Sequence, residues 1–153
     1  MKPRYFETYF SDDPMTELDE NAALDSGYYV KELDSPRRYE SFIAGSLARV
    51  NYPEAPTDEL QRFHRERYPD LDAWFYGPTT HEGTTRRKTI WEFDRSGALT
   101  HRNDYVYEPR RTTHSWYDAA GKYGGKLERI YDEHGEEIEV REHSPDGHVL
   151  VHD

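Results

Sequence analysis

The 153-residue sequence contains no cysteine, which excludes a disulfide framework and a thiolate metal site. It is also poor in hydrophobic residues, at 34% of the chain against 33% charged residues. No stretch approaches the roughly 18 apolar residues of a membrane-spanning helix, and the opening segment "MKPRYFETYFSDD" lacks the apolar run of a signal peptide. We therefore expect a cytoplasmic protein with no membrane partner.

Positive charge is scarce as well, with 20 lysines and arginines against 31 acidic residues and a net charge of −11. Such a charge repels nucleic acid and attracts basic partners. Three arginine pairs, at 37–38, 86–87 and 110–111, are scattered beside predicted turns and do not form the basic patch of a nucleic-acid-binding protein. The net charge is equally typical of a surface that attracts a basic protein partner and of an acidic surface with no binding role.

Aromatic residues, by contrast, are abundant, with 13 Tyr, 6 Phe and 3 Trp spread along the chain. Each buries roughly 150–250 Å² when it enters a core, so a small aromatic core can offset the polar composition. The length suits one domain. We predict a single domain over 1–153, with a strand, helix and hairpins in 1–55, a helix and long loop in 56–84, and a meander in 85–152.

One phrase recurs in the second half: an aromatic residue, Asp, two further residues and Gly, as in "WEFDRSGAL", "SWYDAAGKY" and "RIYDEHGEE", with the looser relative "REHSPDGHVL". The Asp side chain can bond the backbone two residues on, and the Gly accepts a positive φ, which gives a type I turn with a bulge. With a further turn at Pro109, these signals predict an antiparallel meander from about Thr85 to Val151. Its alternation places Ile138 and Val140 on one face and Glu137 and Glu139 on the other.

The first half is less regular. We predict a strand at 4–10, a helix starting at an Asp cap before Pro14 and stopping at Gly27, strands at 28–33, 38–43 and 47–52, and a second helix over 57–68. The stretch 70–87 is predicted to be a mobile loop. The predicted fold is α+β and dominated by β structure. It is a curved antiparallel meander of eight or nine strands, with two short helices covering the apolar face.

Catalytic and metal motifs are weak. His143 is expected to face His148 across the last hairpin, with His152 on the same face as His148. Three imidazoles can bind zinc or nickel, but no fourth ligand is indicated, so we predict no metal and no cofactor. In "THEG", His81 and Glu82 lack the second His of a metalloprotease helix. A catalytic His-Glu pair in the long loop is the alternative that these two residues leave open.

The repeated turn phrase resembles the tyrosine-aspartate repeat of bacterial Rhs-type proteins, and 28–52 resembles small bacterial hairpin-repeat proteins. Some immunity proteins, which neutralise toxins, share this size, acidity and aromatic-rich β character. Together with the acidity, the size and the lack of a catalytic signature, the resemblance favours a binding protein, a monomer or weak homodimer, that occludes a basic protein partner. The most concrete version is an immunity-type protein that neutralises a basic toxin domain. The predicted contacts are exposed carboxylates of the C-terminal hairpins: Asp132, Glu133, Glu136, Glu137, Glu139 and Glu142. The alternatives are a small hydrolase or ligand-binding enzyme that uses the 74–85 loop, and a self-associating structural module.

Overall fold

The computed structural model describes residues 2–11 and 14–152, and regular structure covers most of them. The helices are α1 (Glu20–Asp25) and α2 (Asp58–Arg67). The strands are β1 (Arg4–Phe6), β2 (Glu17–Leu18), β3 (Tyr28–Leu33), β4 (Arg38–Ile43), β5 (Ser46–Tyr52), β6 (Asp72–Tyr76), β7 (Thr80–Glu82), β8 (Thr85–Phe93), β9 (Leu99–Glu108), β10 (Arg111–Asp118), β11 (Tyr123–Tyr131), β12 (Glu137–His143) and β13 (Val149–His152).

All the strands join one open sheet. Its order is β13-β12-β11-β10-β9-β8-β6-β5-β4-β3-β1-β2, with β7 paired to β8 beside this path. The strand pairs are antiparallel, except that β5 and β6 run parallel because α2 connects them. The predicted β-dominated α+β meander is confirmed, although the described residues contain thirteen strands where eight or nine were predicted.

The predicted turn chemistry is confirmed in the C-terminal half. Oδ1 of Asp132 accepts hydrogen bonds from the backbone N–H groups of His134 (2.8 Å) and Glu136 (3.0 Å). Gly135 has a φ of +83°, a conformation that residues with a side chain rarely adopt. Asp94 and Asp118 make the same pair of bonds in their own turns. Local chemistry therefore determines where these hairpins reverse.

The predicted mobile loop at 70–87 is wrong, because β6, β7 and the start of β8 occupy most of it. Ala73 and Phe75 are buried, and β6 is an interior strand between β5 and β8. The run 73–76 has four consecutive residues of the kind found in buried strands. The Gly77-Pro78 and threonine-rich segment that follows it led to the loop prediction.

The first helix and the first strand are both shorter than predicted. The strand ends at Phe6, and 17–18 form β2 before α1 begins at Glu20. The N-cap is Asp19, whose Oδ1 accepts a hydrogen bond from Ala22 N at 2.8 Å. The predicted Asp cap lies outside the described residues. The second helix is confirmed with Thr57 as its N-cap and Tyr68 as its C-cap.

The core lies around the middle of the sheet. On one face, α2 contributes Leu60 to a cluster with Val50, Tyr52, Tyr68, Ala73 and Phe75. On the other face, Phe6, Val30 and Tyr39 form a second cluster, covered by Tyr9 and Met15. The helices cover only part of the apolar face that they were predicted to cover. We call β10–β13 (Arg111–His152) the C-terminal layer. Within it only Gly125 and Glu128 are buried, and neither core cluster includes any of its residues.

Candidate binding surface

The C-terminal layer ends in an exposed apolar edge. Val149, Leu150 and Val151 of β13 are 52%, 57% and 49% exposed, and Ile138 of β12 is 55% exposed. We call these four residues the apolar edge patch. Side chains alternate along a strand, so Val149 and Val151 lie on one face of the sheet, while Leu150 lies on the other. Strand β13 is the last strand of the sheet, so its outer side has no neighbouring strand among the described residues.

The six predicted carboxylates do not form one continuous surface. Asp132 is occupied by the backbone of its own turn. Glu137 pairs with Arg129 at 2.7 Å, and Glu139 pairs with Arg141. Glu133 and Glu136 are exposed in the turn between β11 and β12. A register shift in β12 puts Glu137 on the same face as Arg129 and Glu142 and puts Glu139 on the opposite face. Glu142 comes within 3.8 Å of His152.

A buried carboxylate anchors the layer beneath these charges. Glu128 is 6% exposed and has three basic neighbours: Arg111 at 3.5 Å, Lys126 at 3.8 Å and His143 at 2.5 Å. These groups come from β10, β11 and β12, so they connect three strands that no helix covers. Sequence analysis missed this cluster because its four members lie up to 32 positions apart in the chain.

The predicted pairing of His143 with His148 is wrong by one residue. His143 lies opposite Val149, because the turn between β12 and β13 is closed by a hydrogen bond from Ser144 N to His148 O. His148 instead lies 2.8 Å from Asp146 within the turn. In residues 2–11 and 14–152, no group of three or more His, Asp or Glu side chains is arranged to hold a metal ion. Neither α1 nor α2 has the length and apolar character needed to cross a bilayer.

A second polar row crosses β8, β9 and β10. Asn103 donates from Nδ2 to Glu92 Oε2 at 2.6 Å, and its Oδ1 lies 2.8 Å from His114 Nε2. His114 therefore donates from Nε2, since Asn103 Oδ1 can only accept. Tyr105 lies opposite His114 in the neighbouring strand, and their rings stack with centroids 4.3 Å apart. Burial lowers the pKa of His114. The imidazole that connects β10 to β9 through Asn103 is therefore neutral.

The geometry separates the residues of the alternative catalytic pair. His81 and Glu82 are exposed neighbours on β7, and neighbouring side chains in a strand point to opposite faces. Tyr76, from the same part of the chain, lines a shallow groove with Arg86, Lys88 and Tyr107. Tyr76 is the one residue of the 74–85 segment that lines this groove.

His64 of α2 is a buried histidine in the core between the helix and the sheet. His64 lies between Tyr52 Oη, which is 2.7 Å from Nδ1, and Leu71 O, which is 2.8 Å from Nε2. Because the carbonyl can only accept, Nε2 carries the proton and Nδ1 accepts from Tyr52. Burial lowers the pKa of His64. The folded protein therefore holds this imidazole in its neutral form.

This depressed pKa predicts that acid destabilises the fold. In the unfolded chain a histidine binds a proton near pH 6.5, whereas His64 in the folded chain does so only at lower pH. The stabilisation is complete above about pH 6.5 and is lost as the pH falls towards the folded pKa, with a slope of at most about 1.4 kcal/mol per pH unit for this histidine. Urea unfolding at pH 7.5 and 5.5 measures this loss, to which His114 contributes in the same direction.

The control is a matched pair of variants. His64→Gln keeps a donor and an acceptor but does not titrate, so it should reduce the loss of stability between pH 7.5 and 5.5. His134→Gln makes the same change at a side chain that is 78% exposed and should leave the loss unchanged. An equal pH dependence in His64→Gln and the parent protein would contradict the assignment.

Comparison with known proteins returns no matching family model, no matching curated protein and no matching solved structure.

Proposed function

We propose that this chain is a binding protein that acts by occluding a basic protein partner through its C-terminal layer. The observation that carries the proposal is the apolar edge patch, which lies beside a dense set of carboxylates. Exposed apolar side chains along an unpaired edge strand are a ready template for pairing with another chain. Residues 132–152 contain seven acidic residues and a single arginine, so the field around the patch favours a positively charged partner.

The arrangement of the layer supports the same proposal. Its ion pairs hold Glu137 and Glu139 close to the sheet surface, while Glu133 and Glu136 extend from the turn. Apolar contact contributes affinity at the edge, and exposed carboxylates raise the association rate. The most specific form of the proposal is an immunity-type protein that neutralises a basic bacterial toxin. Its support is the acidity, the size and the resemblance of the repeated hairpins.

The proposal predicts that reversing charge in the turn slows association. Among the residues that the structure describes, no arginine pairs with Glu133 or Glu136, so the double variant Glu133→Lys/Glu136→Lys breaks no such ion pair, unlike changes at Glu137 or Glu139. We expect its association rate with the partner to fall by about tenfold or more at roughly 50 mM salt, and the difference to shrink at roughly 500 mM salt, where the Debye length is about 4 Å. Stopped-flow or surface-plasmon measurements with the partner co-purified from the native host supply the rates.

The matched control carries the same change in net charge at a remote site. Glu7 and Glu54 are exposed. Glu7 directly follows β1 and Glu54 lies shortly after β5, and both strands are at least six positions away from β12 in the sheet order. Glu7→Lys/Glu54→Lys should alter the rate much less than the variant in the turn. Equal effects of the two variants would show that net charge alone matters. The absence of any basic co-purifying protein would rule out the proposed function.

A further inference from the structure

The two ends of the sheet differ in how they are protected against pairing with another chain. At one end, β2 has only two residues, and α1 follows it directly. At the other end, β13 has the sequence Val-Leu-Val-His, without the proline, lysine or bulge that usually protects an edge strand. Its register with β12 runs without a shift from Val140–His152 to His143–Val149. Strand β13 therefore offers a regular and unprotected edge.

The register also determines which backbone groups face outwards. Ser144 N donates to His148 O at 2.9 Å, and hydrogen-bonded pairs alternate with non-bonded pairs in an antiparallel ladder. The Glu142–Leu150 pair is consequently hydrogen-bonded, whereas the His143–Val149 and Arg141–Val151 pairs are not. The N–H and C=O groups of Val149 and Val151 therefore point away from β12, towards the open side.

The side chains along this edge define the strand that would fit beside it. On one face an added strand meets Val149 and Val151, so apolar side chains suit that face. On the other face it meets Leu150, with Glu142 one strand further in and 57% exposed at its side chain. Apolar and basic residues in alternation satisfy both faces. A second copy of this chain fits poorly, because each copy carries a net charge of −11 and the pairing would bring two acidic hairpins together.

We propose that β13 binds an extended segment of the partner as an additional strand, in which apolar residues alternate with lysine or arginine. This inference rests on the proposed function and specifies how the partner is held. The backbone groups of Val149 and Val151 supply the hydrogen bonds, and the alternation of side chains supplies the selectivity.

The test uses a capped eight-residue peptide of alternating valine and lysine, with a second peptide of the same sequence N-methylated at every other residue. The first peptide should bind the full chain and slow hydrogen exchange at the Val149 and Val151 amides, as measured by NMR. The exchange of Leu150, whose amide already pairs with β12, should change little. The N-methylated peptide should bind at least about tenfold more weakly, because it cannot complete the ladder.

Two uncharged substitutions in β13 test whether its backbone, and not the charge of the protein, holds the peptide. Val151→Pro removes an outward N–H without removing a hydrogen bond to β12, and edge strands tolerate proline at such positions. It should weaken peptide binding by about tenfold or more. Val151→Thr keeps the N–H and the side-chain shape and should remain within about threefold of the parent. An unchanged far-UV circular dichroism spectrum and unchanged β12 amides verify that the hairpin is still folded.

The outcomes distinguish this inference from the function on which it rests. Equal binding of both peptides, or protection that appears elsewhere in the chain, would overturn the added-strand inference. If the natural partner binds in a charge-dependent manner but is insensitive to Val151→Pro, the inference fails and the proposed function stands. A dimer of the free chain with protected Val149 and Val151 amides would identify the occupant as a second copy and would also overturn the inference.

Discussion

Replacing Phe75 with alanine is expected to reduce the free energy of unfolding by about 3–5 kcal/mol. The Phe75 side chain is completely buried, stacks on Tyr52 at 4.7 Å and meets the edge of Phe93 at 5.4 Å. The cavity left by the ring lies beneath α2, between rings that are fixed by their own strands, so the site cannot collapse freely. Since domains of this size are stable by about 5–15 kcal/mol, the variant loses a large share of its stability. Urea denaturation at neutral pH measures the effect.

The same experiment decides between two descriptions of the 70–87 segment. A mobile loop predicts a loss of less than about 0.5 kcal/mol, as for ordinary surface substitutions. Ile138→Ala provides the control, since that side chain is 55% exposed and its truncation should cost well below 1 kcal/mol. Similar losses at Phe75 and Ile138 would contradict the assignment of β6 to the interior of the sheet.

The contrast between β6 and the C-terminal hairpins shows which parts of this fold can be predicted from sequence. Each hairpin turn is determined within five residues, as when Asp132 bonds two backbone amides and Gly135 accepts a positive φ. The position of β6 depends instead on a parallel pairing with β5 across α2, for which no short motif exists. Local turn chemistry could therefore be predicted, whereas the non-local crossover could not.

The candidate surface was predictable to a similar extent. The alternation around Ile138 correctly indicated its strand, which can be inferred from a period of two. The prediction that Glu137 and Glu139 share a face is wrong, because a register shift places Glu137 opposite Tyr131 and Glu139 opposite Ile130. The alternation did not indicate that Ile138 stays exposed, because that depends on which strands the core reaches, and neither core cluster includes a residue of β12. Nor did it indicate that Arg129 and Arg141 pair with two of the predicted carboxylates. Because Glu137 and Glu139 are held in these ion pairs, Glu133 and Glu136 are the better charge-reversal sites.

The second large loss of stability is expected in a cluster of three buried polar side chains, on the face of the sheet that α2 covers. Arg38 and Glu40 are 7% and 6% exposed, and the Tyr68 hydroxyl lies between them. Arg38 Nε donates to Tyr68 Oη at 2.7 Å, and Tyr68 Oη donates to Glu40 Oε2 at 2.6 Å. Burial, together with the contact to Glu40 and against the opposing effect of Arg38, raises the pKa of Tyr68 to about 12. The group fixes the C-cap of α2 to the centre of β4.

Arg38→Met is expected to cost about 3–5 kcal/mol, because it leaves the carboxylate of Glu40 buried without a cation nearby. Methionine retains much of the arginine volume and its contact with Phe63, whose ring lies 5.0 Å from the guanidinium. The main loss is therefore electrostatic. Chemical denaturation at pH 7.5 of the parent and the variant gives the difference in unfolding free energy.

The companion variant tests that cause directly. In Arg38→Met/Glu40→Gln the uncompensated charge is removed, while the amide oxygen of Gln can still accept a hydrogen bond from Tyr68. The double variant should therefore be more stable than Arg38→Met alone by about 1–3 kcal/mol, which is a coupling typical of residues in one network. If the two substitutions were additive, so that Glu40→Gln lowered stability equally in both backgrounds, the loss at Arg38 would have to come from packing and from the broken bonds to Asp34 O and Pro36 O. A second substitution that restores stability would instead establish that the charge of Glu40 is tolerated in the core only because Arg38 lies across the Tyr68 hydroxyl.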